Sequence, residues 1–200
     1  MNRKFRILNH SSLLLCCLLG LSLAIGGCSK QEPEAAAAAA PKRIPSLEIV
    51  STESKGFTVG AMMSANPVYV FFDPQCPHCS RLWEASVPLQ KKAKFVWIPI
   101  NLLNASSAPQ GATILSSADP AQSMAEHEKS MLANQGGIAA AGIKPEMEQA
   151  IKKNTALFNN LGIEGVPFLI ARNARTGSTV SRGGEVGTAA LAELVGVDPP

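Results

Sequence analysis

The run Val68-Tyr69-Val70-Phe71-Phe72-Asp73-Pro74-Gln75-Cys76-Pro77-His78-Cys79 decides how this chain is read. Val68 to Phe72 is aromatic and β-branched with no charged position, the composition of a central strand buried on both faces. Asp73-Pro74 ends it. Pro77 suits the first turn of a following helix, where its missing N–H costs nothing. Ser80 to Val87 continues that helix, and Pro88 should kink or end it. Two thiols two residues apart at a strand-to-helix junction have the layout of a dithiol redox centre.

Working outward, Leu47-Glu48-Ile49-Val50 alternates weakly and reads as an edge strand, and Gly56 to Gly60 as another. Lys94 to Ile100 is a second strong strand, completing a strand-helix-strand unit. From Asn101 to Leu161 the pattern turns helical: Ala112 to Ser117, then Asp119 as N-cap before Pro120 and Ala121 to Leu132, then Pro145 to Leu161 with Gly162 as its stop. Met147, Ala150, Ile151 and Leu157 are spaced for one buried face. Val166 to Ala171 returns to strand, Ser178 to Ser181 pairs with it across a turn, and a last helix, capped by Thr188, ends at Gly196. The order β-α-β, helical insertion, β-β-α predicts an α/β chain with a thioredoxin-like fold over 47–200, the helical insertion lying at about 103–161.

The chain has 200 residues and a net charge of +3, but Arg3, Lys4 and Arg6 account for that whole excess. The remainder is neutral and offers no electrostatic reason to bind nucleic acid. Residues 1–27 read as a signal peptide: a basic start, an apolar core from Leu13 to Ile25, and small residues before Cys28. The core is shorter than the ~20 apolar residues of a spanning helix. Ile25-Gly26-Gly27-Cys28 resembles a bacterial lipobox, which makes Cys28 a lipid-anchor site; an ordinary signal cleaved nearby is the alternative. Residues 28–46, with Ala35 to Ala40 bracketed by prolines, read as a low-complexity tether. Cys16 and Cys17 leave with the signal. The exported chain then keeps one free pair, Cys76 and Cys79, in a compartment where disulfides persist.

Thiol–disulfide exchange needs a thiolate nucleophile and a second thiol to resolve the mixed disulfide. Cys76 precedes the helix and faces its unpaired N–H groups and positive dipole end, which lower its pKa. It is the candidate nucleophile, and Cys79, inside the first turn, the resolving thiol. Pro77 and His78 are candidate tuning residues. His78 either favours the thiolate electrostatically or is a plain exposed turn residue. No cofactor is expected beyond the redox-active Cys76–Cys79 disulfide. A c-type haem site would need His where Ser80 stands. Zinc lacks a second Cys pair, and His127, in Ala125-Glu126-His127-Glu128, reads as a solvated surface residue, so no metal is expected. A purely structural bridge over four residues would remove little chain entropy. Val166-Pro167 stands where a cis-proline loop would face the dithiol and offer the Val166 backbone to an extended substrate chain; a trans proline opening a strand is the alternative. Asp73 is either a carboxylate relaying protons from Cys79 or a turn residue.

Phe72-Asp73-Pro74-Gln75-Cys76-Pro77-His78-Cys79, followed by Leu82-Trp83, resembles the catalytic domain of the periplasmic thiol:disulfide interchange proteins of DsbG/DsbC type. The likeness continues through Ala112 to Ala121 and Asn154 to Pro167, spanning about residues 66–195. It implies Cys76 as nucleophile, Cys79 as resolver, Pro167 as cis-proline, and an inner-membrane electron donor of DsbD type. Three features depart from the pattern. Residues 28–46 offer no dimerisation domain, so a monomer is expected. The dipeptide Pro77-His78 is that of DsbA-type oxidases. Val166 stands where the DsbG and DsbC group usually has Thr.

The leading expectation is a periplasmic, lipid-anchored reductase or isomerase of exported cysteine-containing proteins, including cysteines oxidised to sulfenic acid. Two alternatives stand beside it. One is a DsbA-like oxidase that donates its disulfide; the other is a non-catalytic peptide-binding or chaperone module.

Overall fold

The computed structural model describes residues 45–200. The signal segment 1–27, the candidate anchor Cys28 and nearly all of the tether 28–46 lie outside the described residues.

The described residues form a five-stranded sheet carrying helices. β1 is Phe57–Gly60, β2 Pro67–Phe72, β3 Lys94–Pro99, β4 Phe168–Arg172 and β5 Thr179–Gly183, in the order β1-β3-β2-β4-β5. β2 and β3 are parallel, with Val70 opposite Trp97, while β4 is antiparallel to β2, with Leu169 opposite Val70. β2 is thus the central strand, as its unbroken apolar run predicts. Period-2 alternation divides its side chains between two cores. Val68, Val70 and Phe72 join Phe95, Trp97 and Leu169 on one face, and Phe71 joins Ile98, Phe158 and Ile170 on the other.

Helix α1 is Leu47–Glu53. The edge strand expected at Leu47 to Val50 is therefore corrected to a helix. The Ser46 side chain accepts a hydrogen bond from the Ile49 N–H at 3.3 Å, an N-cap that outweighs four weakly alternating residues. Only Val50 is fully buried, in the second core.

Helix α2, Pro77–Ser86, runs on into a 3-10 turn at Val87–Leu89, where Pro88 cannot continue an α-helix. Cys79, Leu82, Trp83 and Ser86 recur at helical spacing and face the first core. Trp83 meets Trp97 edge-on, with centroids 5.2 Å apart. The insertion comprises α3 (Ser107–Ser116), α4 (Pro120–Leu132) and α5 (Pro145–Asn160). Asp119 caps α4 through the Gln122 N–H. The last helix, α6 (Thr188–Val195), is preceded by Gly187 at the cap position. Thr188 therefore does not cap it; its hydroxyl donates to the Ala85 carbonyl and ties α6 to α2. None of the described helices is long and apolar enough to cross a membrane.

Candidate redox site at the start of helix α2

Cys76 is the N-cap residue of α2, with extended backbone at φ −97° and ψ 110°. Cys79 lies one turn in, its N–H bonded to the Cys76 carbonyl at 3.0 Å. Both are free thiols and both are buried, Cys79 completely. Proximity does not make them equivalent. The Cys76 pKa is lowered to about 7, chiefly because the Cys79 S–H donates to its sulfur. Burial opposes this, and the backbone N–H groups of Cys79 and His78 and the charge of His78 add to it. The Cys79 thiol is pushed the other way: burial raises it, as do its bond to Cys76 and the neighbouring negative charge. One turn of helix thus separates a thiolate-prone sulfur from a proton-holding one.

The Val166–Pro167 peptide is cis. The Cys76 S–H points at the Val166 carbonyl oxygen, 3.7 Å away. Residues 90 positions apart in sequence therefore meet at the sulfur. Pro77 is exposed at the first turn. His78 is exposed too, and its Nδ1 stands 3.2 Å from Glu185 Oε2 and 2.8 Å from an Arg81 guanidinium nitrogen. Glu185 comes from the loop between β5 and α6 and anchors to both residues. Its carboxyl pKa is lowered, first by the Arg81 bond.

The turn before Cys76 is held by buried polar groups. Asp73 is fully buried, and its carboxylate accepts from the N–H of Gln75 (2.8 Å), the hydroxyl of Ser107 (2.6 Å), and the N–H groups of Leu102 (2.7 Å) and Leu103 (2.9 Å). Four donors occupy the oxygens, which matches the turn-residue alternative for Asp73 and ties the turn to the β3–α3 connection. Gln75 donates to Gln110 and to the Gly136 carbonyl.

His127 corrects the sequence reading. It is fully buried, with Nε2 donating to the Pro74 carbonyl at 2.6 Å and Nδ1 accepting from the Ile138 N–H at 3.2 Å. That pattern needs the neutral ring, and burial lowers its pKa. Its neighbour Glu128 is buried as well, and receives on Oε2 the hydroxyl of Ser80, the residue after Cys79. Burial raises the Glu128 pKa to about 8, with the Cys76 thiolate adding to the rise. Sequence reasoning missed both because Glu126-His127-Glu128-Lys129 reads as a solvated charged stretch. The available signal was spacing: His127 and Glu128 fall three and four residues after buried Met124, on the inward face of α4. Among the described residues, no group of three or more His, Cys, Asp or Glu is placed to hold a metal ion.

No protein-family model matches the chain. It is 29% identical over 137 residues to the thiol:disulfide interchange protein DsbG of Pseudomonas aeruginosa, an alignment covering 64% of this chain and 50% of the relative. The chain thus spans about half the length of that relative. Among solved structures, it resembles the catalytic domain of Proteus mirabilis ScsC (TM-score 0.58, 19% identity, 74% of this chain and 91% of that one). It also resembles a periplasmic thioredoxin-like protein from Salmonella enterica serovar Typhimurium (TM-score 0.59, 20% identity, 77% and 97%). The chain is DsbG-like in sequence and thioredoxin-like in fold.

Proposed function

We propose that this chain is a thiol–disulfide oxidoreductase of exported proteins, working in the reducing or isomerising direction through Cys76 and Cys79. The observation that carries the reading is the split between the two thiols. Cys76, lowered to about 7, is substantially thiolate at neutral pH, while Cys79 keeps its proton in reserve. Cys76 attacks a substrate disulfide and releases one thiolate; Cys79 then attacks the Cys76 sulfur and releases the other. A cysteine sulfenic acid enters the same route, with hydroxide as the first leaving group. An extended substrate chain would meet the Val166 backbone, which lies beside the Cys76 sulfur.

The oxidase reading draws support from Pro77-His78 and from Val166. Against it, a pKa of about 7 resembles thioredoxin's and lies well above the ~3.5 of a strongly oxidising site. A weakly stabilised thiolate leaves the reduced form less favoured, which suits a donor of electrons. The working partners would be exported proteins with cysteines and a membrane electron donor of DsbD type. A lipid on Cys28 would hold the chain in the periplasm at a bacterial membrane.

Trapping thiols in living cells tests the direction. The Cys76/Cys79 pair is expected mostly reduced at steady state, and a mostly oxidised pair overturns the reductase reading. The double variant Cys76→Ser, Cys79→Ser tests for chemistry of any kind: a chain that works undiminished without either sulfur is a binding module.

A further inference from the structure

Glu128 has a feature that packing does not require. Its Oε2 takes the Ser80 hydroxyl, but its other oxygen, Oε1, is buried with no hydrogen-bond partner. An orphaned buried carboxylate oxygen is costly, and native structures keep few of them. Its placement is specific. Ser80 directly follows Cys79, and its hydroxyl also lies 3.5 Å from the Cys76 carbonyl, so Glu128 is bound to the same turn of α2 that carries both thiols. Glu128 also lines a small cleft open to solvent, with Trp83, Glu84, Val87, Ala125, Lys129 and Leu132.

We propose that Glu128 is the group through which the buried Cys79 thiol passes its proton to solvent, taking it on the dithiol side and releasing it into the cleft between α2 and α4. This rests on the dithiol reading above. Burial is the main cause of the raised Glu128 pKa and persists, but once Cys76 has attacked a disulfide its sulfur is neutral, and the smaller part of the rise that came from its charge is gone. Glu128 then ionises through the cleft. As Cys79 attacks, its S–H proton goes to the Glu128 carboxylate by way of one bridging water, since neither Glu128 oxygen is hydrogen-bonded to the Cys79 sulfur. The Cys79–Cys76 bond forms, the Cys76–substrate bond breaks, and the substrate leaves as thiolate. The dithiol loses two electrons, the substrate disulfide gains them, and the proton rests on Glu128 until the cleft takes it away.

Few other groups can take this part. The helices and strand against α4 are α2, α3 and β1. Neither Ser107–Ser116 nor Phe57–Gly60 has a titratable side chain. From α2, beyond the two thiols, come Glu84 at the cleft and the exposed His78 and Arg81, both engaged with Glu185. On α4 itself, His127 has both ring nitrogens bonded, and Glu126 and Lys129 are exposed.

The test is reaction of the reduced, otherwise unaltered chain with oxidised glutathione, quenched and resolved by mass. The parent chain forms a glutathione adduct on Cys76 and clears it. Glu128→Gln is expected to accumulate the adduct, the clearing rate falling on the order of 100-fold at neutral pH and then rising with hydroxide. Ser80→Ala keeps the carboxyl but removes the bond that lowers its pKa, so the break in the clearing-rate profile should move alkaline. If Glu128→Gln fails to fold, Ser80→Ala carries the test. Clearing at the parental rate and pH profile in Glu128→Gln, or an unmoved break in Ser80→Ala, overturns the proposal. A parent that never forms the adduct would instead overturn the dithiol reading.

Discussion

The Cys76 sulfur stands 3.7 Å from the carbonyl oxygen of Val166, so the strand-to-helix turn and the cis-proline loop share one reactive atom. Two segments far apart in sequence are thereby fixed at hydrogen-bond range of a nucleophile. Their approach follows from β2 and β4 being adjacent strands, with Phe71 opposite Phe168.

The causes of the low Cys76 pKa can be ranked by substitution. The Cys79 S–H is the largest contribution, and the charge of His78 among the smallest. Cys79→Ala should therefore raise the Cys76 pKa more than His78→Ala does. Thiolate absorbance at 240 nm against pH gives both values, and the reverse order contradicts the assignment.

The same titration makes the stability of the reduced protein depend on pH. A thiol lowered from 9.0 to about 7 contributes stability that is complete above 9 and is lost as pH falls through 7. The oxidised form has no such term. The urea midpoint of the reduced form, relative to the oxidised, should therefore climb between pH 7 and pH 9. Flat behaviour over that window would mean that Cys76 is not held as described.

Glu128 acts with the opposite sign. A carboxyl raised from 4.5 to about 8 contributes stability that is present below 4.5 and is lost as pH rises through 8. In the disulfide form neither thiol titrates, and comparison with Glu128→Gln cancels His127, which acts with the opposite sign below pH 6.5. The urea midpoint of the parent should fall relative to that of Glu128→Gln as pH rises from 5, and fall less far than in the reduced form because Cys76 carries no charge.

Asp73→Ala leaves three backbone N–H groups and the Ser107 hydroxyl without their acceptor. A loss of about 3 kcal/mol is expected, at the upper end for unsatisfied buried donors. Urea unfolding measures it. A change under about 0.5 kcal/mol, the size usual for surface substitutions, would show that the turn does not depend on this carboxylate.

His127 should make the protein acid-sensitive. Burial lowers its pKa below 6.5, so the unfolded chain takes up the proton first, and stability is lost as pH falls below 6.5. His127→Gln should weaken that dependence while preserving a side chain able to donate to Pro74. Stability against pH from 7 to 4 is the measurement.

The central strand β2 and the helix after it were legible in the chain because Val68 to Phe72 has no polar position and Pro77 suits a helix's first turn. That Cys76 would be the more acidic thiol was legible from its place before a helix, but the largest causes, the Cys79 S–H and the burial of Cys79, arise in the folded site. The segment Leu47 to Val50 was misread because four residues alternate equally well in a strand or across a helix face, and the Ser46 cap decided between them.

By itself the sequence determined the dithiol, its place at a helix start and the strand that carries it, since each depends on residues within a few positions of one another. Only the tertiary structure decided which polar groups surround it. Asp73, His127 and Glu128 are ordinary polar residues along the chain. They become buried when α4 lies against α2 and the β3–α3 connection folds over the turn. A charge loses its water through neighbours distant in sequence, so the local pattern Glu126-His127-Glu128-Lys129 does not show that two of its four side chains point inward.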